Sequence, residues 1–73
     1  MVRLSNQVRE TRALRERATA IVQRECKATS EQYVADRVGT HLLTVRGWNR
    51  GEGMPSRFIA KRIIDLYPTE AKS

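Results

Sequence analysis

The sequence predicts a small all-α domain of four helices. In several segments apolar residues recur at spacings of three and four, which lays them along one face of a helix. Glycines and helix-capping residues separate these segments from one another. We find no strand-length segment in which apolar and polar residues alternate. The 73 residues are enough for one compact domain with a single core.

Composition indicates a globular chain with an anionic partner. Hydrophobic residues make up 40% of the sequence and charged residues 30%, which is typical of a soluble protein. The net charge is +6 at pH 7, and the N-terminal third is the most basic part. This excess of positive charge favours a polyanion, with nucleic acid as the first candidate and no membrane.

Cysteine usage and length constrain the compartment and the assembly. Cys26 is the only cysteine, so an intrachain disulfide is impossible and no thiol pair is available for zinc. The first residues lack the apolar run of a signal peptide, and we therefore expect a cytoplasmic protein with no metal or cofactor. A chain this short often gains stability from a second subunit, which predicts an oligomer.

The first helix is predicted at about residues 6–27, with Ser5 as its cap. The apolar residues of this helix form one stripe, which is expected to pack against the other helices. The stripe consists of Leu4, Val8, Leu14, Ala18, Ile21, Val22 and Cys26.

Two short helices are predicted at about residues 30–50. Thr29 and Gln32 have the spacing of a capping box, which predicts the start of the second helix there. Gly39 can adopt the left-handed conformation that closes it. Thr40 is predicted to cap the third helix, which Gly51 ends.

The last helix is predicted at about residues 57–67, capped by Ser56 and ended by Pro68. Residues 69–73 are predicted to be a frayed tail. The apolar face of this helix consists of Ile59, Ala60, Ile63, Ile64, Leu66 and Tyr67.

The spacing between residues 31 and 48 is that of a helix-turn-helix. Ala35 is small where two crossing helices touch, and Gly39 allows the sharp turn four residues later. Val34, Val45 and Trp48 are predicted to complete the structural core of the motif. In such a motif the first helix crosses the phosphate backbone and the second lies in the major groove of DNA.

The motif resembles the phage repressor and Cro-like helix-turn-helix superfamily. Residues 34–39 read Val-Ala-Asp-Arg-Val-Gly, and residues 48–55 have the pattern Trp-x-x-Gly-x-x-x-Pro. Within that superfamily, the chain is similar in size and in its basic N-terminal helix to the phage lysogeny activators of the CII type. The resemblance implies a lambda repressor-like fold and a phage-derived or mobile-element-derived transcriptional regulator that binds double-stranded DNA.

Four positions depart from that superfamily. Thr40 replaces a buried aliphatic residue, and Glu31 replaces a glutamine that contacts phosphate, so that contact either passes to Gln32 or is lost. Leu42 and Leu43 stand where polar base-reading residues are common. Either Leu42 leans back over the core, or apolar contacts to thymine methyl groups form part of the readout.

The contacts with DNA can be assigned to individual residues. Arg46, one residue after Val45, is expected to face away from the core and to contact guanine. Residues predicted to contact bases are His41, Leu43, Thr44, Arg46 and Gly47. Residues predicted to contact phosphates are Gln32, Arg37, Thr40, Arg50 and Arg57.

Trp48 is interpreted as a core anchor, and Phe58 either packs under the loop at residues 54–55 or is exposed for a partner subunit.

One histidine, one cysteine and scattered carboxylates offer no nucleophile-base pair, so no enzyme is expected. We expect a homodimer or higher oligomer on repeated half-sites, with RNA polymerase as a further candidate partner.

Two other functions remain open at this point. The same helices would serve a DNA-architectural or recombination accessory factor. A more remote alternative is a basic amphipathic helix, at residues 6–27, that binds a membrane or an acidic protein.

Overall fold

The computed structural model describes residues 2–67, with side chains from residue 10 onward. It contains α1 (Val2–Ala28), α2 (Glu31–Val38), α3 (Leu42–Arg50) and α4 (Arg57–Leu66). Residues 2–67 contain no strand, which confirms the predicted all-α domain of four helices. Pro68 and the predicted tail lie outside the described residues.

The first helix is longer than predicted. α1 begins at Val2, so Ser5 lies inside the helix and is not its cap. No glycine or proline interrupts residues 2–28, and the helix therefore continues past a possible capping serine. Its 27 residues account for the 41 Å long axis of the molecule, because an α-helix rises ~1.5 Å per residue.

The second helix begins one residue later than the capping box predicted. The cap is Ser30, whose Oγ accepts a hydrogen bond of 3.0 Å from the Tyr33 backbone N–H. The Thr29 hydroxyl instead donates to the Glu25 carbonyl at 2.6 Å, in the last turn of α1. Gln32 donates to the Asp36 side chain at 2.9 Å. The predicted Thr29–Gln32 capping box is wrong, because the Thr29 hydroxyl is hydrogen-bonded to a backbone carbonyl of the preceding helix.

The turn between α2 and α3 is closed by Gly39, as predicted, with φ of 84°. The N–H groups of Gly39 and Thr40 both donate to the Ala35 carbonyl, at 2.8 and 2.9 Å. Because Thr40 closes α2, it does not cap α3, and that prediction is wrong. His41 precedes α3 without a side-chain cap, and its carbonyl accepts from two N–H groups of the first turn.

The ends of α3 and α4 follow the sequence closely. Gly51, with φ of 80°, ends α3, and the Glu52 N–H donates to the Gly47 carbonyl at 2.9 Å. The Ser56 Oγ caps α4 by accepting from the Ile59 N–H at 3.4 Å. Both predictions are confirmed, although α4 ends at Leu66, one residue early.

One core joins all four helices. α1 packs along α4 and also contacts α2 and α3, so its apolar side is covered over its C-terminal two thirds. The buried core residues are Ala18, Ile21, Val22, Cys26, Val34, Ala35, Val38, Val45, Trp48, Ala60 and Ile63. Burial raises the pKa of the Cys26 thiol, and the nearby Glu31 and Glu25 carboxylates raise it further.

A hydrogen bond from α1 fixes the loop between α3 and α4. The Arg15 Nε donates to the carbonyl of the buried Pro55 at 2.8 Å.

Within residues 2–67, no helix is both long and apolar enough to cross a membrane.

Val45 is fully buried, so a charge at this position would have no partner in the core. We expect Val45→Asp to lower the free energy of unfolding by about 3 kcal/mol or more, which removes most of the stability of a domain this small. Thermal unfolding followed by circular dichroism measures this. Thr44→Asp is the control, because Thr44 is exposed and an acidic residue is tolerated in the first turn of a helix. Equal melting of the two variants would contradict the observed register of α3.

Candidate nucleic-acid interface

The position of α3 is fixed by residues on one of its sides. Val45 is fully buried and Trp48 is 7% exposed, in the core that Val34, Ala35 and Val38 of α2 also join. The Trp48 carbonyl also accepts a hydrogen bond of 3.5 Å from the Gln23 side chain of α1. α3 is therefore held by both α1 and α2.

The opposite side of α3 faces solvent. Successive residues of a helix are separated by about 100°, so Leu43, Gly47 and Arg50 lie on the side away from Val45 and Trp48. Leu43 is 68% exposed, and Arg50 is exposed at the end of the helix. We call Leu43, Gly47 and Arg50 the outer face of α3. Thr44 is exposed at one edge of it, and His41 is exposed just before the helix.

Glu31, the first residue of α2, binds two side chains of α3. Its carboxylate accepts a hydrogen bond of 3.0 Å from the Arg46 Nε and another of 2.9 Å from the Asn49 Nδ2. Arg46 and Asn49 are half-buried. Arg46 lies beside Leu43 and Arg50 on the solvent side of α3, and Asn49 lies nearer the core. The predicted base-contacting arginine is thus engaged with α2, and its contact with guanine stays a prediction.

These contacts favour the charged form of Glu31. The hydrogen bond from Asn49, and then that from Arg46, lower the pKa of the carboxyl, and the positive charge of Arg46 adds to the effect. Glu31 beside Arg46 therefore stays charged to a lower pH than an ordinary glutamate does.

The predicted phosphate-contacting residues occupy different surroundings. Arg37 lies over the Tyr67 ring, 5.4 Å from its centroid, and Gln32 is bound to Asp36. Thr40 is half-buried in the turn, whereas Arg50 and Arg57 are exposed on α3 and α4.

The structure decides one alternative that the sequence left open, because Phe58 is 85% exposed instead of being covered by the loop at residues 54–55. Leu42 is half-buried, and its role stays a prediction. Gly47 has open space around it, because a Cβ atom at this position would meet no other atom within 4 Å.

Sequence reasoning missed several contacts between distant segments. Glu31 joins α2 to Arg46 and Asn49, and Arg15 joins α1 to Pro55. The Arg62 guanidinium also lies beside the turn, 3.4 Å from the position that a Cβ atom would occupy at Gly39. The two residues of each pair are far apart in sequence, so the spacing of three or four that reveals contacts within one helix could not indicate them.

An open hollow of about 450 Å³ lies between α1 and α4, on elements other than α2 and α3. Its walls mix acidic, basic and apolar groups, consisting of Glu10, Thr11, Leu14, Arg57 and Lys61. In residues 10–67, no three potential metal ligands of the His, Cys, Asp or Glu type come together.

Comparison with known protein families, with curated proteins and with solved structures gives no match. The interpretation of the site therefore rests on its residues and their geometry.

Glu31→Gln tests whether the charged carboxylate contributes to stability. Its pKa is lowered in the folded state, so its contribution is present above the ordinary value of 4.5 and is lost as pH falls through the lower folded value. We expect Glu31→Gln to melt below the parent at pH 7, and the difference to shrink progressively below pH 4.5. Glu52→Gln, in the exposed loop, is the control. A difference between parent and Glu31→Gln that is independent of pH would contradict this role.

Proposed function

We propose that this chain is a helix-turn-helix regulator of transcription that binds double-stranded DNA with sequence specificity. The observation that carries the proposal is α3, which is anchored through Val45 and Trp48 and presents an outer face to solvent. A helix held in this way can enter the major groove without losing its packing.

The connection between α2 and α3 supports this mode of binding. Only residues 39–41 separate the two helices, and Gly39 has the left-handed conformation that a tight turn needs. Short helices joined by a turn of three or four residues are typical of DNA-binding helix-turn-helix motifs. The resemblance of residues 34–39 and 48–55 to the phage repressor and Cro-like superfamily points the same way.

Charge supports a duplex as the partner. The net charge of +6 attracts a polyanion, and phosphate contacts supply most of the sequence-independent affinity of DNA-binding proteins. Arg50 and Arg57 are exposed and free of any ion pair within residues 10–67, so both are available for phosphates. His41, Thr44 and Gly47 are the candidates for contacts with bases or sugars at α3.

Arg46 can join these residues while it stays bound to Glu31. Its Nε donates to the Glu31 carboxylate, and the two terminal NH2 groups of a guanidinium carry four further N–H donors. In the proposed complex these groups contact guanine, while the bond to Glu31 orients the side chain.

The structure argues against one of the two other functions, the membrane-binding helix, and does not separate the architectural factor from the regulator. A membrane-binding amphipathic helix needs the apolar side of α1 free, whereas Ala18, Ile21 and Val22 are buried in the core. An architectural role would use the same DNA contacts as the regulator. The two are separated by whether bound sites lie over promoters or over recombination sites.

We propose that the protein acts in the cytoplasm as a homodimer or higher oligomer, with RNA polymerase as a further candidate partner. One short recognition helix offers few base contacts, and two of them raise specificity. Phe58 is 85% exposed on α4, and an exposed aromatic of this size fits a subunit interface.

Selection of bound duplexes from a random pool tests the proposed function. We expect enrichment of one half-site, usually found twice at a spacing of ~34 Å, which is one turn of DNA. The logarithm of the binding constant should fall linearly with the logarithm of salt concentration, by ~0.9 per phosphate contacted. A pool that shows no enrichment, or binding that is insensitive to salt, would contradict the proposal.

Two arginine variants with the same change of net charge distinguish a direct contact with phosphate from the general attraction between the protein and DNA. Arg50→Ala should reduce the salt slope by ~1 and weaken cognate and scrambled duplexes alike. Arg12→Ala should leave the slope unchanged, because Arg12 lies on α1 and forms an ion pair with Glu16 at 3.5 Å. Equal effects of the two variants would place the interface away from α3.

Phe58→Ser tests the assembly. We expect the parent to sediment as a dimer and Phe58→Ser to sediment as a monomer, because the substitution removes the exposed apolar surface of α4. Lys61→Ala, an exposed change one turn away on the same helix, should remain dimeric. A parent that is monomeric both free and on DNA would exclude this interface.

A further inference from the structure

The outer face of α3 carries an apolar side chain in the first turn of the helix. Leu43 is 68% exposed, although leucine is among the residues most often buried. It lies opposite Val45 and Trp48, so the packing of α3 makes no use of it. Arg50, on the same face, lies nearly two turns further along.

Two hydrogen-bonding side chains beside this face are oriented by α2. The Arg46 Nε and the Asn49 Nδ2 both donate to the Glu31 carboxylate, at 3.0 and 2.9 Å. Beside these bound side chains, the outer face presents Leu43 and, at its far end, Arg50. Leu43 is thus the apolar part of this face.

The backbone beside Leu43 is open. Gly47 lies one turn after Leu43, and a Cβ atom at Gly47 would meet nothing within 4 Å. Glycine is a poor helix former, and no neighbouring atom of the described residues requires it here. Its absence of a side chain leaves the backbone next to the leucine open, so the edge of a base pair can approach the helix there.

The major groove presents one apolar group to such a surface. Of the four bases in unmodified DNA, only thymine carries a methyl group on its major-groove edge. The net charge of +6, and the exposed Arg50 on the same face, favour a DNA duplex as the occupant over an apolar protein surface.

We propose that Leu43 is a specificity-determining residue that contacts the C5 methyl group of a thymine, with Gly47 providing the space for the base pair. The proposal rests on the function proposed above. The recognition is apolar and is directed to a T·A pair, whereas Arg46 and Asn49 stabilise the position of α3 by binding Glu31.

Replacement of thymine by uracil tests the contact, since uracil differs only by lacking the methyl group. The duplex is the one selected by the full chain, and each thymine is replaced in turn. Burial of one methyl group corresponds to a change in affinity of about fourfold. We expect one replacement per half-site to weaken the parent by about this factor. In Leu43→Ala the same replacement should change the affinity by less than about 1.5-fold, because the partner of the methyl is gone.

Two variants control for indirect effects. Leu43→Met keeps an apolar side chain of similar volume and should retain the discrimination between thymine and uracil. Met54→Ala removes a different exposed apolar residue, in the loop after α3, and should also retain it. All variants should melt within a few degrees of the parent, because the substituted side chains lie outside the core.

A third duplex separates the two natural sources of a C5 methyl group. It carries 5-methylcytosine in place of the sensitive thymine, paired with guanine. Because the methyl group is retained, the proposal expects this duplex to bind more tightly than the same duplex with unmodified cytosine, and tighter binding than that of the thymine duplex would overturn thymine as the ligand.

Other results would overturn the contact itself. They are a selected site without thymine, a uracil effect of the same size in Leu43→Ala, or loss of the dimer in Leu43→Ala, which would make Leu43 a contact between subunits. In each of these cases sequence-specific binding can persist, so the proposed function stands while this inference falls. Absence of any selected sequence would overturn both.

Discussion

The burial of Val45 and Trp48 on one side of α3 is the interaction on which the other features of the molecule depend. α3 has only nine residues, too few for a stable isolated helix, so its existence and its rotation both come from packing against α1 and α2. With these two residues in the core, helical geometry places Leu43, Gly47 and Arg50 on the opposite side. The composition of the solvent-facing surface is thus a consequence of the core.

A polar contact adds to this apolar anchoring. Glu31 ties the beginning of α2 to Arg46 and Asn49, and it does so with a charge that two hydrogen bonds stabilise. The contact gives α3 a second point of attachment at the edge of its outer face. It engages the Nε of Arg46, so the terminal NH2 groups of the guanidinium stay available to a partner while the side chain is held in place.

Local signals in the sequence determined most of the fold. Gly39 and Gly51 end their helices because each adopts a positive φ, and Ser56 caps α4 by a bond to a residue three positions later. These effects depend on neighbours in sequence and can be read without a structure. Where two local options competed, the reading failed. Thr29 could cap α2 or bind back to α1, and only the path of the chain after Ala28 decides between them.

The sequence by itself determined the helical class, the apolar side of each helix and the residues that close the turn, since hydrophobic periodicity and glycine conformation are properties of short segments. Tertiary structure alone decided which polar groups meet. Glu31 and Arg46 are 15 residues apart and lie on different helices, and their contact requires the packing angle that the core sets. The same packing decided that Phe58 is exposed. Long-range partners and surface exposure are properties of the assembled helices, which no single segment encodes.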